Sequence, residues 1–135
     1  MYQQMIFVNL PVADLDASKK FFTELGYSIN PQFSDETAAG VVISDTIVTM
    51  LLTKEKYAQF TKKEIADATR TSEVLIALSA ESREKVDELV DKAIAAGGTA
   101  SGETQDLGFM YGRSFDDLDG HTWEAVWMDP AAIEG

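Results

Sequence analysis

A chain of 135 residues with 23 acidic and 11 basic side chains carries a formal net charge of −12. Such a field repels phosphate backbones and anionic lipid, which argues against nucleic-acid and membrane partners. The absence of cysteine excludes disulfides, thiolate metal centres and cysteine nucleophiles, and suits a cytoplasmic protein.

An apolar share of 45% with 25% charged residues is that of an ordinary globular domain, and no run of about 18 apolar residues offers a membrane span. The opening MYQQMIFVNLPV has neither a basic n-region nor a small-residue cleavage site, so it is not read as a signal peptide. The acidic excess serves a soluble surface; it could also favour cationic ligands.

Met5 to Val12 is apolar, closes with Pro11 and reads as a buried strand. Asp14 offers an N-cap, and Leu15, Ser18, Phe21, Phe22 and Leu25 then recur at helical spacing up to Gly26. These signals predict a helix over 14–25. Tyr27 to Phe33, Ala39 to Ser44 and Thr46 to Thr53 follow as three strands, with Asp45 at the turn between the last two. Residues 54–71 are polar, with scattered Tyr57, Phe60 and Ile65, and read as a short helix and a loop.

The same order then repeats. Ser72 to Ala80 is a strand, and Ser82 caps a helix whose Val86, Leu89, Val90, Ala93 and Ile94 share one face. Gly97 and Gly98 end that helix, predicted over 82–96. Strands at 99–105, 109–116 and 121–128 follow, with a turn at Asp117 to Gly120.

Two strand–helix–three-strand units do not make a doubly wound sheet, whose strands and helices alternate. The expectation is an α+β fold of two βαβββ modules, forming curved mixed sheets around a cavity with one helix packed on each sheet. As a single domain, 1–135 divides into a first module over about 4–53, a connector over 54–71 and a second module over about 72–129. The space between two concave sheets is then the default ligand site.

The phrase FVNLPVADLDASKKFFTELGYSINPQF resembles the opening unit of the vicinal oxygen chelate superfamily of glyoxalases, bleomycin resistance proteins and extradiol dioxygenases. SFDDLDGHTWEAVWMDP resembles its final hairpin, with Leu118 where proline is common. Asp119-Gly120 keeps the tight reversal. The resemblance spans residues 5–130. It implies four pocket positions at which the superfamily's metalloenzymes place His or Glu ligands. By motif these are Asn9, Leu51 (to within one residue of register), Leu75 and Glu124.

Only Glu124 is a strong ligand for a divalent ion, and one histidine in the chain precludes a two-histidine iron site. No metal and no cofactor is expected. Asn9 is disfavoured in a strand interior, so it either contacts a ligand or ties to backbone. Glu124 is either a pocket acceptor or an internally paired residue, with Asn9 or Arg113 as partner. Tyr111 and Arg113 either supply a hydroxyl and a charge to a polar ligand, or cover the sheet with Arg113 paired to an acid. Met110 joins them as a lining candidate, as do Phe33, Met50 and Phe109. His121 follows the Asp-Gly turn and is expected to brace it. Trp123 and Trp127 fall on the strand face opposite Glu124.

The expected function is metal-independent small-molecule binding, by a homodimer, with Asn9, Leu51, Leu75, Met110, Tyr111, Arg113 and Glu124 at the site. The alternatives are a glyoxalase- or dioxygenase-like enzyme with a reduced metal site, and a metal-free enzyme using Glu124 as general base. The reading leans against an enzyme. No nucleotide fingerprint is present, since Gly97-Gly98 neither follows a strand nor opens a helix.

Overall fold

Helix α1 (Leu15–Glu24) starts where the Asp14 side chain accepts a hydrogen bond from the Ala17 backbone N–H at 3.0 Å. It stops at Gly26, whose φ of +109° reverses the chain at little cost for glycine. The computed structural model, which describes residues 2–133, forms two units, Met1–Ala66 and Asp67–Gly135. Each repeats the order strand, helix, three strands.

The first unit holds β1 (Ile6–Val12), β2 (Ser28–Asn30), β3 (Ala38–Val42) and β4 (Ile47–Thr53) in the order β1-β4-β3-β2. The β1–β4 pair is parallel and the others are antiparallel. Strand β2 is shorter than predicted. Pro31 has no N–H for a ladder and Asn30 caps Gln32 with its side chain, so residues 31–33 form a single 3-10 turn.

Successive side chains on a strand alternate between faces, and paired residues share one. The register Leu10↔Leu51↔Ala39 therefore defines one face, continued by Val12, Val41 and Thr49. All six are buried, and α1 packs on β3 and β4 with Phe21 and Phe22 edge to face at 5.1 Å. The register Asn9↔Met50↔Gly40 defines the other face. A short helix α2 (Lys54–Tyr57), capped by Thr53, and a 3-10 turn at Ala58–Phe60 follow β4.

The second unit orders β5 (Leu75–Ser79), β6 (Thr99–Asp106), β7 (Met110–Asp116) and β8 (Thr122–Met128) as β5-β8-β7-β6, again with one parallel pair. Helix α3 (Arg83–Ala95) is capped by Ser82, whose side chain accepts from Lys85 N–H at 3.1 Å. Its Val86, Val90 and Ala93 are fully buried, as are Phe115, Trp123 and Ala125, and α3 packs on β7 and β8. Strand β5 begins three residues later than predicted. A last short helix, α4 (Pro130–Ile133), was not anticipated. No helix among the described residues is long and apolar enough to cross a membrane.

Candidate functional site

In the first unit the face carrying Asn9 is the open one. Asn9 is exposed, and among the described residues its side chain makes one hydrogen bond, a 3.3 Å donation to the Phe7 carbonyl two residues earlier. That local bond leaves the amide oxygen available. Asn9, Leu52, Tyr57, Phe60 and Thr61 line a groove of about 280 Å³. At another point on this face, Phe33 lies over Gly40 and meets Phe7 edge to face at 5.9 Å. Gly40 is required by that contact, because a Cβ there would sit 2.7 Å from Phe33 Cβ.

Leu51 does not share this face. It is 0% exposed on the α1 side, in register with Leu10. The motif carries over one residue out of register, and Met50 and Leu52 are the neighbours on Asn9's side. The connector residues Tyr57, Phe60 and Thr61 were not chosen from sequence. Two aromatics in an otherwise polar segment were the available signal, since such rings need a surface to cover.

In the second unit Glu124 pairs with Ala77 on β5 and Ser114 on β7, so it faces away from α3. It is half-buried, and no described residue gives its carboxylate a hydrogen bond or ion pair. Leu75, 61% exposed, lies on the same face next to Thr122, as does Met110 opposite Met128.

Tyr111 and Arg113 lie on the opposite, helix-covered face, and the pocket reading fails for both. Tyr111 Oη donates to Asp87 Oδ1 at 2.7 Å, and Arg113 reaches Asp87 and Asp91 of α3 at 2.9 and 3.0 Å. Asp87 is thereby held below the usual carboxylate range, chiefly by the tyrosine hydroxyl, with burial opposing and Arg113 assisting. Arg113 is accordingly not the partner of Glu124. Trp123 and Trp127 are on this same face, as alternation predicts. Trp123 stacks on Phe115 at 6.5 Å, and the Arg83 guanidinium lies over Trp127 at 5.3 Å and Tyr111 at 5.0 Å.

Asp117, Asp119 and His121 offer ligand atoms within 4.8 Å of one another. The cluster is the brace of the final hairpin. Asp117 is buried and accepts from the Asp119 and His121 backbones, from Trp123 Nε1 at 3.0 Å, and pairs with His121 Nδ1 at 2.9 Å. Its oxygens are thus already engaged, and His121 serves the turn as expected.

The motif positions do not fit a divalent metal. Within the first unit they offer one amide oxygen, flanked by a thioether and a leucine; within the second they offer Glu124 and an aliphatic leucine. Hard and borderline ions call for several nitrogen or oxygen donors.

A family model described as bleomycin resistance protein-like N-terminal matches residues 4–44. A hypothetical protein from S. aureus is 34% identical with a TM-score of 0.77, over 94% of this chain and 95% of that one. A glyoxalase/bleomycin resistance protein/dioxygenase family enzyme from Burkholderia phytofirmans shares the fold at 20% identity and a TM-score of 0.76, over 93% and 99% of the two chains. A fosfomycin resistance protein from Listeria monocytogenes, solved with Mn(II) and sulfate, does so at 19% identity and 0.65, over 93% and 90%. No curated protein matches the chain. The opening unit is thus similar to the bleomycin resistance protein-like N-terminal family, and the repeated βαβββ fold along nearly the whole length is the one seen in solved glyoxalase/bleomycin resistance/dioxygenase proteins.

Proposed function

We propose that this protein is a metal-independent small-molecule binding member of the vicinal oxygen chelate superfamily of glyoxalases, bleomycin resistance proteins and dioxygenases, a single cytoplasmic domain acting as a homodimer. The observation that carries the reading is the first-unit groove, where an apolar and aromatic lining surrounds one amide with free hydrogen-bonding capacity. Ligand sites have that composition, mostly apolar with a few polar groups that orient the guest. The donor poverty of the motif positions supports the metal-free part of the reading. Glu124, whose carboxylate has no hydrogen-bond or ion-pair partner among the described residues, supports a polar contact on the open face of its own unit.

Exposed apolar side chains support the dimer. Ile6, Phe7, Val74, Leu75, Leu107, Phe109 and Met128 are all more than a third exposed, and a surface with that much apolar area gains by covering it.

The test uses N-phenyl-1-naphthylamine, a neutral probe whose fluorescence rises in apolar sites. It should bind the untagged protein equally before and after dialysis against EDTA, and lose affinity at least tenfold in Asn9→Trp, which fills the groove. Elemental analysis should find well under one equivalent of transition metal. A full equivalent, released by Glu124→Ala, would establish the metalloenzyme alternative instead. A metal-free enzyme with Glu124 as base is favoured by the same unpartnered carboxylate, and would show turnover abolished in Glu124→Gln.

A further inference from the structure

The segment that lines one side of the groove has a charge opposite to that of the chain. Residues 54–64 hold Lys54, Lys56, Lys62 and Lys63 against Glu55 and Glu64, a net +2 in a protein of net −12. These are four of its 11 basic residues, gathered where Tyr57, Phe60 and Thr61 line the groove.

The local geometry brings that charge to the mouth. Lys56 Nζ lies 5.6 Å from the Phe60 ring centroid, and Phe60 is itself a lining residue, 70% exposed. Thr61, also lining, accepts a hydrogen bond from Lys63 N–H at 3.1 Å, so Lys62 and Lys63 begin directly at the rim. Besides Glu55 and Glu64, already counted in that net charge, Asp35 opposes it. Asp35 feels Lys56, yet its Oδ1 is taken by Thr37 N–H, Thr37 Oγ1–H and Ala38 N–H.

We propose that the first-unit groove takes a small, flat aromatic acid, its ring held against Tyr57 and Phe60 and its anionic group facing Lys56, Lys62 and Lys63. The inference rests on the binding function proposed above and names the ligand class for that groove. The net charge of the chain does not overrule it. At physiological ionic strength fields decay over about 8 Å, so a rim lysine outweighs distant carboxylates for a ligand in the groove. Phe60 offers apolar ring area to the guest while Lys56 Nζ, 5.6 Å from the ring centroid, stands close enough to meet a charged substituent at the ring's edge.

The probes are 2-naphthoate, 2-naphthalenemethanol and 2-naphthylmethylammonium, which share one ring system and differ in charge. Calorimetric titration of the whole chain in low salt should rank them anion, neutral, cation. Each lysine within reach should contribute about threefold, the size of a charge pair some 6–8 Å apart in water. Lys56→Gln with Lys62→Gln and Lys63→Gln should bring naphthoate down to the neutral probe, as should 0.5 M NaCl. Phe60→Ala should weaken all three alike. A flat order, or the cation binding tightest, overturns the charge inference while leaving the groove a binding site. Failure of all three probes, together with N-phenyl-1-naphthylamine, overturns the groove itself. A naphthoate affinity that survives Phe60→Ala and Asn9→Trp places the anion elsewhere and overturns the proposal.

Discussion

The indole Nε1 of Trp123 donates a 3.0 Å hydrogen bond to Asp117 Oδ2, tying the core of β8 to the turn that precedes it. The indole is 1% exposed and stacked on Phe115, while the carboxylate takes two further backbone N–H groups. A hairpin tip and a core side chain are thus one unit. Trp123→Phe keeps the stacking and removes the donor, leaving one oxygen of a buried carboxylate short of a partner. The expected loss is about 1.5–3 kcal/mol, read from urea denaturation midpoints. Phe115→Leu removes the stack and leaves the hydrogen bond in place, so the two losses separate packing from polarity.

The same carboxylate sets a pH dependence. Burial pulls the His121 pKa down, but the Asp117 hydrogen bond and the charges of Asp117, Asp119 and Asp116 together raise it above the usual 6.5. Protonated His121 therefore stabilises the fold. That contribution is complete below about pH 6.5 and is lost as the pH rises through the higher folded value. The thermal midpoint of wild type should fall over that interval relative to His121→Gln, whose profile lacks the step. Parallel curves for the two proteins from pH 6 to 9 would place His121 outside the brace.

Glycine 120 is held by more than its backbone angle. Its φ is +90°, and a Cβ there would lie 2.8 Å from the backbone of Ala68 and Thr69. Gly26 has φ +109° but no neighbour within 4 Å of such a Cβ. Both alanine variants suffer the left-handed strain, of about 1–2 kcal/mol. Only Gly120→Ala must also displace the 67–71 turn, so it should be the more destabilised by at least about 1 kcal/mol. Amide exchange at Thr69 and Thr71 should accelerate in that variant and not in Gly26→Ala.

The helices were legible because each is bracketed by an explicit start and stop. Asp14 and Gly26 frame α1 and Ser82 and Gly97 frame α3; of the predicted α3 stripe Val86, Val90 and Ala93 fall on the buried side, whereas Ile94 is 38% exposed. The placement of Trp123 and Trp127 followed from alternation alone. Register across strands was harder, because β4 reads IVTMLLT and is buried on both faces, and its polar residues Thr49 and Thr53 lie on the same side as Leu51, the helix-covered one, where polarity misleads. Tyr111 and Arg113 share the helix-facing side with the buried Phe115, Trp123 and Ala125, so two polar groups stand where alternation places apolar ones. Their partners, Asp87 and Asp91, lie more than twenty residues away and belong to a helix face that reads as solvated. The groove escaped notice for a similar reason, since Tyr57 and Phe60 become meaningful only once α2 sets them beside Asn9 and Leu52.

Self-association provides a direct test of the exposed apolar surface. Light scattering after gel filtration at tens of micromolar protein should return twice 14.8 kDa. A monomer mass at that concentration would leave Leu107, Phe109 and Met128 as ordinary scattered surface residues.

Leu51 and Leu75 were expected to share one environment and do not, which makes them a matched pair. Leu51 is 0% exposed between β4 and α1, whereas Leu75 is 61% exposed on the edge strand β5. Leu51→Ala leaves a cavity among packed side chains and should cost about 2–5 kcal/mol. Leu75→Ala removes methyl groups already in water and should stay within about 0.5 kcal/mol if the isolated chain is the folding unit. Burial of β5 against a second copy changes that expectation in a measurable way. The Leu75→Ala loss would then grow with protein concentration, because dimer formation adds to apparent stability by mass action. Denaturation of both variants at 1 and 100 µM distinguishes the cases. A Leu51→Ala cost below 1 kcal/mol at both concentrations would overturn the assignment of Leu51 to the helix-covered core.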